Sequence, residues 1–204
     1  MTGLLYSFLL IAGVLALGLV LKKCHVSEMV VRKVVHMGVG NWWFIEMRYF
    51  DTLGMALVGP VAFIGLNTLF VVFHKGESEK SRNYGLVYYP IALLLLVLLQ
   101  YGGKLTSAAC LCGVLVMAYG DSLAGIFGKL WGKKKLPSYM KEKSWLGLSV
   151  MFLVSFVVSF LVLHSFPAAL LVALVAALSE SMTPFGLDNL SVPLLASWVA
   201  GALL

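Results

Sequence analysis

The sequence predicts an all-α protein, a polytopic transmembrane bundle of seven to eight helices with its N-terminus outside. Three observations predict it. Of the 204 residues, 61% are hydrophobic and only 12% are charged, where a soluble domain has about a quarter charged. Several uncharged runs reach the roughly 20 residues needed to cross a bilayer. No stretch alternates apolar and polar residues as a strand does, and only helices or closed barrels cross lipid. The mean hydropathy of +0.97 agrees.

The apolar segments fall at about 3–21, 34–47, 52–73, 84–102, 105–128, 145–163, 167–180 and 190–204. The first, within "MTGLLYSFLLIAGVLALGLVLKK", has its lysines after the apolar run, the reverse of a cleavable signal peptide. It therefore reads as a retained first transmembrane helix. The segment 34–47 is short and amphipathic, and the last two are also short, which leaves the count at seven or eight.

Between the segments, the linkers 22–33, 74–82 and 129–143 hold every Lys and Arg except Arg48 and Lys104. Basic linkers alternate with poor ones, as an up-and-down path requires, and the positive-inside rule places the basic ones in the cytoplasm. The same alternation brings the turn 180–189, with Glu180 and Asp188, to that face, although it carries no cation. The net charge of +6 is then explained by orientation in the membrane, without a nucleic acid polymer as partner. Cys24, Cys110 and Cys112 suggest neither a zinc site nor a disulfide framework. No linker or repeat divides the chain, so 1–204 is expected to be one integral membrane domain.

Ionisable residues in membrane helices are costly and mark function by default. Five clusters stand out. In "VVRKVVHMGVG", Arg32 and Lys33 share a helix face with His36, extended by Gly40. That face suits an anion, although topology-setting cations alone also explain it. In "SRNYGLVYYP", Arg82 precedes Tyr88, Tyr89 and Pro90, either a headgroup wall or an interfacial aromatic belt. In "YGDSLAGIFGKLWGKKK", Gly120, Ala124, Gly128 and Gly132 make a small-residue stripe of the kind that packs helices closely. The stripe does not account for Asp121, nor for Lys129 and the lysines after it. A carboxylate for Mg2+ and lysines for phosphate fit that arrangement.

In "KEKSWLG", Lys143 and Ser144 stand at a helix mouth, where Ser144 is an N-cap or part of a phosphate site. In "SESMTPFGLDNLSVP", Asp188 and Asn189 are natural caps. Glu180 has no such explanation and requires a cation or metal from elsewhere. Together, cations and a few carboxylates at one membrane face suit phosphoryl transfer, with carboxylates holding Mg2+ or accepting a hydroxyl proton.

The order of these motifs resembles the CTP-dependent lipid kinase family: dolichol, polyprenol and phytol kinases and fungal-type diacylglycerol kinases. The matching pieces are "RKVVH" (32–36), "SRNYGLVYYP" (81–90), "GDSLAGIFGKLWG" (120–132), "KSWLG" (143–147) and "ESMTPFGLDNLSVP" (180–193). The resemblance implies CTP as phosphate donor and a lipid alcohol as acceptor, at the cytoplasmic membrane face. On that reading Asp121, Glu180 and Asp188 serve catalysis and Mg2+. Arg32, Lys33, His36, Arg82, Gly120, Gly128, Lys129, Lys143, Ser144 and Asn189 surround the nucleotide. One position departs from the family pattern: Leu146 stands where a glutamate usually precedes the glycine. The alternatives are a CTP:lipid-phosphate cytidylyltransferase, and a non-enzymatic small transporter or lipid-binding scaffold. Transporters often carry inverted repeats and polar residues at mid-membrane, and neither is evident here.

Overall fold

A computed structural model describes residues 2–73, 85–137, 143–184 and 186–204. Among these residues every regular element is a helix: α1 (Thr2–Lys23), α2 (Glu28–Gly40), α3 (Trp42–Tyr49), α4 (Leu53–Phe73), α5 (Gly85–Tyr101), α6 (Ser107–Leu115), a π-helical segment (Val116–Asp121), α7 (Ser122–Leu130), α8 (Trp145–Leu163), α9 (Phe166–Met182) and α10 (Asp188–Ala202). Taking α2 with α3, and α6 through α7, as single bent rods gives the eight that the apolar segments predict. Four rods are long and apolar enough to cross a membrane: α1, α4, α8 and the continuous Ser107–Leu130 rod. Arg82, a predicted site residue, lies outside the described residues.

The Ser107–Leu130 rod is the axis of the bundle and is mostly buried. Helices α2, α5, α8 and α10 pack around it, and α9 fills the angle between α8 and α10. In the outer positions, α1 lies on α2 and α3, and α4 lies on α5. Their leucines and phenylalanines, among them Phe8, Leu19, Leu66 and Phe73, stay exposed. That is the arrangement expected of a bundle whose solvent is hydrocarbon.

Two departures from the sequence-based expectation shape the site. The residues 22–33, expected to be a linker, fold mostly into helix, because α2 begins at Glu28. Arg32 and Lys33 therefore project from a helix, and the path bends later, at Asn41. There the Asn41 side-chain amide donates to the Met37 carbonyl at 2.9 Å, and its Oδ1 accepts from the Tyr119 hydroxyl at 3.0 Å.

The second departure is the π segment. Gly113 and Gly120 lie about two α-helical turns apart and would share a face in an ordinary helix. Instead a Cβ on Gly113 would meet Pro193 and Ser197 of α10, and one on Gly120 would meet Met151 and Ser155 of α8. The wider i→i+5 turns take in extra residues and rotate the face between the two contacts. Asp121 is the last residue of this segment.

Candidate active site

The small-residue stripe sets the distance between α7 and α8. A Cβ on Gly128 would lie 2.9 Å from Ser144 Oγ and 3.1 Å from Gly147 Cα. The two helices meet with almost no side chain between them, as the spacing predicts. Ser144 Oγ caps α8 by accepting from the Gly147 amide at 3.1 Å, and it donates to the Gly128 carbonyl at 3.2 Å. Just before the cap, the Leu136 amide donates to the Lys143 carbonyl at 3.1 Å, and the Trp145 amide to the Lys134 carbonyl at 3.1 Å. This short antiparallel bridge, centred on Lys135 and Ser144, fixes the backbone from the Lys143 carbonyl onward.

From that anchored position the Lys143 side chain reaches two acids. It donates to Glu180 at the end of α9 and, at 2.9 Å, to Asp188 Oδ2 at the start of α10. Lys33 of α2 donates to Asp121. The three carboxylates are buried, and an oxygen from each lies within 4.8 Å of the others. Three acids are thus held by two lysines. Among the described residues, these three carboxylates when ionised carry one charge more than the two lysines, in a setting where an isolated charge is costly.

Burial by itself would lower the pKa of the Lys143 ammonium, but the carboxylates of Asp188, Glu180 and Asp121 outweigh it. They hold the group above the usual lysine range. It remains a cation at neutral pH.

The backbone of the α9–α10 turn supports Asp188. Its Oδ1 accepts from the Asn189 amide at 3.0 Å and the Asn189 side chain at 3.1 Å, leaving Oδ2 for Lys143. Asn189 also contacts Gly85, where a Cβ would lie 2.6 Å from its Nδ2. The start of α5 is thereby tied to the site.

Lys33, His36, Asp121, Lys143, Glu180 and Asp188 meet as the sequence predicts, and Ser144, Gly120, Gly128 and Asn189 support them. Arg32 and Lys129 are exposed and join no carboxylate among the described residues. Lys33, one position from Arg32, points inward: its stem lies against Gly125, whose Cβ would come 2.8 Å from Lys33 Cε. Asp121 sits deeper than a helix-end placement implies. Nine residues of α7 follow it, about 14 Å of helix at 1.5 Å per residue. Leu146 is exposed, off the face that Gly147 turns towards α7.

Tyr89, read in the sequence as part of either a headgroup wall or an aromatic belt, is buried against His36, with ring centroids 4.1 Å apart. One feature was missed in the sequence. Glu46 is fully buried in α3 and accepts from Gln100 Nε2 at 3.0 and 3.2 Å. An acid inside the apolar segment 34–47 was the available signal for Glu46.

The chain is 31% identical to the phytol kinase of Synechocystis over 186 aligned residues, covering 85% of this chain and 78% of the relative. The chain belongs to the phytol kinase family. It is also 30% identical to a probable chloroplastic phytol kinase of Triticum aestivum, covering 86% of this chain and 67% of the relative. The chloroplastic phytol kinase 1 of Arabidopsis thaliana is 27% identical, with 85% and 66% covered. No family model matches the chain, and no solved structure does. The phytol kinases align with most of the bundle, and the family is one of those the motif order resembles.

Proposed function

We propose that this chain is a CTP-dependent kinase that phosphorylates an isoprenoid alcohol of the phytol class at the cytoplasmic face of a membrane. Family membership supports a lipid-alcohol kinase. The observation that carries the reading is the meeting of three buried carboxylates from three helices with two lysines. A soluble surface collects such charges at little cost, whereas a membrane bundle keeps them for use.

In the reaction the lipid hydroxyl oxygen attacks the terminal phosphorus, and the bond to the bridging oxygen of the nucleoside diphosphate breaks. The hydroxyl proton leaves to a base. Catalysis then consists of positioning and of stabilising charge on the transferring group. Asp121 is the proposed base, set deepest along its helix. Its contact with Lys33 sets a cation beside the carboxylate that would accept the proton. Lys143, held cationic, stands ready for the phosphate oxygens, and Lys33 supplies a second cation beside Asp121.

Asp121, Glu180 and Asp188 also fit Mg2+, which takes hard oxygen ligands. Their oxygens lie within reach of one ion, and their charge exceeds that of the lysines beside them by one. When bound, Mg2+ would supply neutralisation of the phosphate charge. The lysines would then exchange carboxylate partners for phosphate ones.

The test supplies labelled CTP and ATP in parallel to purified protein with phytol, a polyprenol and diacylglycerol. The expected outcome is phosphate transfer from CTP to phytol with release of CDP. Release of pyrophosphate with a CDP-lipid product would instead identify a cytidylyltransferase, and consumption of ATP alone would overturn the donor assignment.

A further inference from the structure

Two polar atoms beside the carboxylates have no hydrogen-bond partner although both are buried: His36 Nε2 and the Tyr89 hydroxyl. Buried polar atoms are nearly always paired, and leaving one unpaired costs about 1–3 kcal/mol. The two rings are in contact, with centroids 4.1 Å apart and planes tilted by 41°. Gly40 lets the helices approach closely beside the Tyr89 hydroxyl: a Cβ there would run into Ala118 Cβ and stand 3.1 Å from the hydroxyl oxygen.

One helical turn farther along, both helices line a cavity. Val39 follows His36 by three residues on α2, and Leu93 follows Tyr89 by four on α5, so each pair shares a helix face. Val39 and Leu93 border an apolar cavity of about 250 Å3 that continues between α1, α3 and α4 along Trp42, Pro60 and Phe63. Its lining is almost free of polar groups. Ser7 and the Trp42 indole N–H are the exceptions, and they satisfy each other at 2.9 Å. The outer helices α1 and α4 form its walls and expose most of their surface towards lipid.

We propose that His36 Nε2 and the Tyr89 hydroxyl receive the hydroxyl of the lipid alcohol, and that this cavity takes its hydrocarbon tail. With His36 as its Nε2–H tautomer, one hydroxyl oxygen accepts from both orphaned atoms and keeps its own proton free for Asp121. That oxygen is then held next to the Asp121–Lys33 pair, and the alcohol's tail is kept out of the polar site. A nucleotide fits this place poorly, because the cavity offers hydrocarbon and no further donors. The assignment rests on the lipid-alcohol reading above, and names where that acceptor lies.

The test uses a phytol analogue with a diazirine near the tail end, photolysed with the full chain in lipid nanodiscs. Phosphate transfer to the same analogue is measured in parallel. Adducts are expected on α1 and α4, within residues 4–11 and 58–63. Tyr89→Phe should raise the half-saturating concentration for labelling about 5-fold or more, the loss of roughly 1 kcal/mol of hydrogen bond. It should not lower the unfolding temperature, because the hydroxyl it removes has no partner within the protein. Adducts confined to other helices, or equal saturation in wild type and Tyr89→Phe, overturn the assignment. Transfer that proceeds while labelling ignores Tyr89 removes the hydroxyl site and leaves the kinase reading. Tyr89-dependent labelling without transfer does the reverse.

Discussion

Replacing Lys143 by Met tests the electrostatics of the site directly. At 2.9 Å from Asp188 Oδ2, one unit charge attracts another by about 6 kcal/mol at an effective dielectric constant of 20. Burying the three groups offsets much of this. What the variant loses is set by what it leaves behind: Glu180 and Asp188 buried, adjacent and without their cation. Breaking a buried pair from one side costs about 3–5 kcal/mol. For a chain of this size that corresponds to a fall of roughly 6–20 °C in unfolding temperature, at about 2–4 °C per kcal/mol. The structure adds a second expectation. With one cation gone, the excess negative charge rises from one to two, so millimolar Mg2+ should stabilise Lys143→Met more than wild type by mass action. Thermal unfolding of detergent-solubilised protein, with and without Mg2+, measures both quantities. A variant that unfolds with wild type, or gains no more from Mg2+, would show that these carboxylates are not held as anions by Lys143.

The pH dependence follows from the raised Lys143 pKa. A group whose folded pKa lies above its unfolded value contributes in full below the unfolded value, near 10.4, and loses that contribution only as pH rises through the folded one. The stability gap between wild type and Lys143→Met attributable to this group should thus be constant from about pH 7 to 9 and shrink only at higher alkalinity. Denaturant midpoints at several pH values check this. Asp121→Asn should lower phosphate transfer at least 100-fold, the scale of general-base catalysis, while nucleotide affinity changes much less. Comparing kcat with the KM for nucleotide separates the two effects. Gly128→Ala should destabilise by about 1–3 kcal/mol, because its methyl group would come within 3.1 Å of Gly147 Cα on the facing helix. An unchanged unfolding temperature would show that α7 and α8 have room to separate.

The spans and the candidate charges were legible because each is a local property. Twenty uncharged residues must be helical in lipid whatever surrounds them. An acid such as Glu180 at the end of such a run must find a cation, and the missing cation could be inferred before its identity was known. The stripe from Gly120 to Gly132 also announced a close helix contact, which α8 supplies.

The sequence by itself therefore determined an all-helical membrane bundle and most of the charged residues that gather in its interior. Tertiary structure alone decided which of them meet. Lys33 finds Asp121 across 88 positions, and Lys143 finds Glu180 and Asp188 across 37 and 45. No local pattern distinguishes Lys33, turned inward, from Arg32 beside it, turned outward, because that depends on where α7 lies. The burial of Tyr89 and the π segment that rotates Asp121 into place have the same origin. Hydropathy is summed along the chain, whereas pairing energy depends on distance through space, and only packing fixes that distance.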